Sequence, residues 1–116
     1  MIGKVGMDIY LPVGDTGALR VNINGSYRTT EDDRVLFTVK KGDQAVIVRV
    51  ITPVANIAVV EFTNEMTKHL EPGDYRYDVR LVRDAVLENG IPVGGEGVDT
   101  PLRKGTFKLL EVVGEV

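Results

Sequence analysis

Cysteine and tryptophan are both missing from the 116 residues, and histidine occurs once, as His69. Without cysteine there is no disulfide, no thiolate metal site and no cysteine nucleophile, and nothing argues for an oxidising compartment. The disulfide-on-tryptophan core of antibody domains is excluded by the same two absences. His69 lies between Lys68 and Leu70 with no serine or cysteine partner nearby in sequence. It therefore reads as a surface or helix-end residue rather than a general base. Aromatics are few, three Phe and four Tyr. Long apolar runs are missing too, and the opening MIGKVGMDIYLPVGD is too broken for a signal peptide or a membrane span. Net charge is −3 with the basic residues scattered. A nucleic-acid surface needs a basic stripe, so neither nucleic acid nor membrane is expected as a partner.

What is present is strand patterning. In PGDYRYDVRLVR (Pro72 to Arg83) a Pro-Gly-Asp turn, with Gly73 suited to positive φ, precedes Tyr75, Tyr77, Val79 and Leu81 at period two. Arg76, Asp78 and Arg80 occupy the opposite face, so the stretch reads as a half-buried strand over 75–83. Further strands are expected over 7–12, ending at Pro12, and over 18–23, with Leu19, Val21 and Ile23 inward. Next come 34–41, with Val35, Phe37 and Val39 inward, and 45–51, joined to it through Lys41-Gly42-Asp43-Gln44. Residues 56–63 (NIAVVEFT) are apolar on both sides and read as a central strand. The last strand is expected over 106–113, with Phe107 and Leu109 inward. Asn64–Leu70 is the one stretch of helical character, a single turn capped by Thr63 or Asn64. Residues 84–99 read as a long mobile loop containing a small ribbon, and the apolar tail 112–116 as a strand end docked on its own sheet or a neighbour.

Seven to eight short strands without an amphipathic helix predict one all-β domain spanning residues 1–116. The expected fold is an antiparallel immunoglobulin-like β-sandwich, with a small closed β-barrel as the competing architecture. Its core would be aliphatic, completed by Phe37, Phe62, Tyr75, Tyr77 and Phe107.

Chemistry is harder to find. Glu31-Asp32-Asp33 is the best local carboxylate cluster, but it lacks the alternating ligands and glycine of an EF-hand loop and reads as a solvated acidic turn. Gly14-Asp15-Thr16-Gly17 and Gly94-Gly95-Glu96-Gly97 have neither the lysine nor the helix of a phosphate loop. No metal, cofactor or catalytic residue is expected. Arg76, Asp78, Arg80 and Arg83 form a mixed-charge face that reads equally as a protein-interaction surface or as charge that blunts edge-to-edge aggregation.

Two segments carry a family resemblance. The first runs from Leu11 to Lys40 and contains Gly14, Asp15 and Thr16 and then Phe37, Thr38, Val39 and Lys40. The second runs from Leu70 to Val113 and contains Gly73, Tyr75, Tyr77, Asp78 and Val79 and then Thr100, Gly105 and Phe107. Their order resembles the Ig-like domains of tailed-phage and prophage structural proteins, such as the N-terminal domain of baseplate upper proteins. The resemblance implies a non-enzymatic structural or assembly role, with other virion proteins or further copies of the chain as partners. It also implies bacterial cytoplasm on expression and an assembled virion thereafter. The long C-terminal part of a baseplate upper protein is missing here, which implies a stand-alone domain. Competing functions are an Ig-like ligand- or carbohydrate-binding module and, more remotely, a small enzyme.

Overall fold

The computed structural model describes residues 2–95 and 100–111. The chain forms β1 (Gly3–Val5), β2 (Asp8–Pro12), β3 (Gly17–Asn22), β4 (Arg34–Lys41), β5 (Gln44–Ile51) and β6 (Ile57–Phe62). A short helix α1 (Asn64–Thr67) follows, then β7 (Gly73–Val82), β8 (Ala85–Glu88), β9 (Ile91–Gly95) and β10 (Thr100–Leu110). Six strands make one sheet in the order β1-β2-β10-β7-β4-β5. β3 and β6 pair as a second sheet, and β8 and β9 form a separate ribbon.

The result is an immunoglobulin-like β-sandwich whose sheets do not close into a barrel. Described strands number ten rather than seven or eight, because β1 and the β8–β9 ribbon add to the sandwich proper. One pairing is parallel: Phe107 of β10 stands opposite Ile9 of β2, and Leu109 opposite Leu11.

Alternation explains the core. Val35, Phe37 and Val39 of β4, Tyr75, Tyr77 and Val79 of β7, and Phe107 and Leu109 of β10 are buried in one cluster with Leu19, Val21, Val60 and Phe62. Phe37 meets Phe62 edge-on at 5.5 Å, and Phe62 lies 5.7 Å from Phe107, so aromatic rings bridge the two sheets. Burying each Phe contributes about 1.5–3 kcal/mol.

Two strand expectations are corrected. Residues 57–62 are not central: among the described residues β6 pairs with β3 alone, its side chains alternate, and Val59 is 43% exposed. The final strand begins at Thr100, not Thr106, because β7 supplies a partner for the whole stretch despite a register shift between Pro101 and Arg103. Residues 85–95 form the ribbon, while Glu96, Gly97, Val98 and Asp99 and the tail 112–116 lie outside the described residues.

The connection between β6 and β7 carries the helix and a corner. Tyr75 turns its ring into the core and donates its hydroxyl to the Glu71 carbonyl at 2.7 Å. This is the tyrosine corner of Ig-like domains, where a tyrosine at the start of a strand ties back the turn preceding it.

Candidate functional site

The motif residues resolve into structural devices. Gly14, at φ +76°, donates its N–H to Thr67 Oγ1 (2.7 Å) and accepts from Asn64 Nδ2 (2.8 Å), which docks α1 on the turn after β2. Asp15 Oδ1 accepts the Thr16 N–H at 2.9 Å. Gly73, at φ +147°, opens β7. Thr100 opens β10 opposite Leu81.

Gly105 pairs with Tyr77 across β10 and β7. Tyr77 donates its hydroxyl to the Met7 carbonyl, and Arg103 closes the cluster through Nε to Tyr77 Oη (2.6 Å) and a guanidinium nitrogen to the Gly6 carbonyl (3.1 Å). The turn between β1 and β2 is thereby clamped onto the sandwich. Phe107 is buried in the core.

A second polar cluster belongs to the acidic turn. Asp33 is fully buried, so it does not solvate the loop as its sequence neighbours imply, whereas Glu31 and Asp32 are exposed. Its carboxylate accepts from the Tyr27 hydroxyl (2.8 and 3.0 Å), Thr30 N–H (2.8 Å) and Asp84 N–H (3.0 Å). Burial pushes this carboxyl up. The two backbone donors, the Tyr27 hydroxyl and the Arg83 charge outweigh burial and hold it below the usual carboxylate range. Tyr27 moves the other way, to about 12, through burial first and then its hydrogen bond to Asp33 and the nearby Asp33 and Asp84 charges, opposed by Arg83. The geometry is that of a structural tie between the β3–β4 connection and the turn after β7. Among the described residues no three His, Cys, Asp or Glu side chains come together as a metal site.

Arg83 belongs to this tie rather than to the predicted charged face. Its guanidinium lies 5.0 Å over the Tyr27 ring, and its Nε is buried without a hydrogen-bond partner among the described residues.

Arg76, Asp78 and Arg80 do share one face, the outer face of the six-stranded sheet. There Arg76 stands between Lys40 of β4 and Thr106 of β10, and Asp78 between Thr38 and Lys104. Asp78 pairs with Arg80 at 3.6 Å. These six side chains from β4, β7 and β10 line a shallow concavity of about 580 Å³, with Asp43 at its rim. The aggregation-blunting reading of this charge fails on topology, because β7 is an interior strand flanked by β10 and β4. Lys104, Lys108 and Lys40 are the members of this face that the β7 pattern alone could not supply. Sequence reasoning could have found them only with the strand register in hand.

The remaining unusual surface is the ribbon. Val86, Leu87, Ile91 and Val93 are all exposed, Val86 and Val93 to about 60%. Within the single chain these apolar side chains pack little. Five of the seven aromatics (Phe37, Phe62, Tyr75, Tyr77 and Phe107) are buried. Tyr27 is bonded to Asp33, and the ring of Tyr10 on the outer face has Lys108 5.5 Å from its centroid. Little aromatic surface is left for stacking a sugar.

No family model and no curated protein matches this chain. Among solved structures it is similar to a Bacteroides vulgatus ATCC 8482 protein labelled a glycoside hydrolase, at 16% identity and a TM-score of 0.49. That likeness covers 89% of this chain but only 16% of the other. At this distance it carries no argument about activity. No helix among the described residues is long and apolar enough to cross a membrane.

Proposed function

We propose that this chain is a non-enzymatic structural or assembly protein of phage or prophage tail or baseplate type, working without a cofactor through protein–protein contacts. The observation that carries this reading is the β8–β9 ribbon. A two-stranded ribbon is marginal by itself in water. This one exposes Val86, Leu87, Ile91 and Val93 together, and clustered exposed apolar side chains mark contact sites. Its partners are other virion proteins or further copies of the chain. The phage assignment rests on the order of the sequence motifs. The protein is made in the bacterial cytoplasm and ends in the virion.

Co-expression with the products of neighbouring genes, followed by size-exclusion chromatography, tests the reading. The expected result is a stoichiometric complex with a virion protein. A gene neighbourhood without virion proteins, together with a chain that always elutes alone, overturns it.

A further inference from the structure

We propose that the concavity on the outer face of the six-stranded sheet, around Lys40, Arg76 and Lys104, seats a carboxylate side chain from an extended acidic segment of a partner protein. The inference rests on the assembly reading and names the surface and the chemistry through which one contact is made.

Lys40 and Arg76 are direct cross-strand partners on the same face, an arrangement of like charges that destabilises a sheet unless something else compensates it. Lys104 lies one row along, opposite Asp78. All three cations are exposed, and among the described residues none of their side chains has a hydrogen bond or ion pair. Several other cations are engaged: Arg34 bonds the Glu31 and Asp33 carbonyls, Arg103 bonds Tyr77 and Gly6, and Lys41 lies over the Tyr75 ring. Three free cations therefore converge on one concavity at the centre of a sheet, flanked by the hydroxyl-bearing Thr38 and Thr106.

The acids in the same lining select the ligand. Asp43 and Asp78 would repel a continuous polyanion such as nucleic acid, whereas a single carboxylate can approach Arg76 in its two-pronged geometry. They also offer acceptors to donors flanking that carboxylate. The chain's own exposed acidic pair, Glu31 and Asp32, precedes β4 at the opposite end from Lys40, about 20 Å away along the strand, and does not reach the concavity of its own molecule. The occupant is therefore a segment of a different protein, matched to the surface by charge.

The test uses an end-blocked six-residue peptide with one glutamate among serines, titrated into the isotope-labelled chain and followed by amide shifts. The expected shifts are confined to residues 38–43, 76–78 and 104–106. R76Q and K40Q each weaken binding threefold or more, while R49Q, which removes the same charge on a different strand, leaves it unchanged. Absent or dispersed shifts overturn the proposal, as does an equal loss in R49Q. Stronger shifts of the same amides by a short oligoribonucleotide reassign the surface and also overturn it. Self-association that K40Q abolishes assigns the face to a second copy, with the same consequence. If a virion complex forms but the peptide gives no shift, this surface fails and the assembly reading stands. If the peptide binds but no complex forms, the failure lies with the assembly reading.

Discussion

A Cβ at Gly105 would overlap the carbonyl oxygen of Met7, so the turn between β1 and β2 can close over β10 only because residue 105 has no side chain. The positive-φ freedom of glycine is not at issue here, since the requirement is close approach. Gly105→Ala is expected to destabilise the fold by about 1–3 kcal/mol, the usual cost of overpacking. Tyr77→Phe, which removes the hydroxyl held by Met7 and Arg103, is expected to cost about 1 kcal/mol. Urea unfolding of the two single variants and the double variant measures both. Because the residues share the Met7 contact, their effects should not add.

The Asp33–Tyr27 bond governs stability at both ends of the pH scale. Asp33 titrates lower in the folded chain than its unfolded value of about 3.9. Its stabilisation is complete above that value and is lost as pH falls through the depressed folded one. Tyr27 titrates higher when folded, so its contribution is full below about 10 and is lost as pH rises through about 12. Melting temperature against pH should show both limbs. Asp33→Asn should flatten the acid limb and Tyr27→Phe the alkaline one, whereas limbs unchanged in these variants would point to other groups.

The tyrosine corner makes a smaller, separable contribution. Tyr75→Phe keeps the buried ring and deletes only the bond to the Glu71 carbonyl. A loss of about 0.5–1.5 kcal/mol in chemical denaturation is expected, with no change in association. A shift in association instead would place the hydroxyl in an interface.

On the ribbon the expectation reverses. Val86 and Val93 are exposed, so a V86S/V93S variant should keep its folding stability within about 0.5 kcal/mol. It should lose the ability to form higher-order species. Circular dichroism melting read beside sedimentation velocity separates the two effects.

The sandwich was legible wherever one face of a strand meets the core and the other meets water, as in Tyr75–Leu81 and Val35–Val39. It was obscured where local composition and long-range pairing disagree. The stretch TPLRKG carries a proline, a glycine and two charges, and becomes strand because β7 runs beside it. Val59 looks like a core residue in sequence, but it alternates with buried Ala58 and Val60 and falls on the outward face of β6, which leaves it exposed.

Polar clusters were harder still. Asp33 sits in an acidic run that reads as solvent-facing, and its burial depends on Tyr27 and on the Asp84 backbone far along the chain. Arg83 continues the alternation of Arg76, Asp78 and Arg80 by eye, yet it falls at odd parity and turns to Tyr27 instead. The charged face could be named from β7 alone. The unpaired cations on it required the register with β4 and β10.

The central claim is that this protein acts by assembling. Light scattering coupled to size-exclusion chromatography, over a range of concentrations and with the products of neighbouring genes added in turn, tests it most directly. The account predicts a discrete species heavier than the 12.7 kDa chain, either alone or with one of those proteins. A mass of 12.7 kDa at every concentration and in every mixture would contradict it.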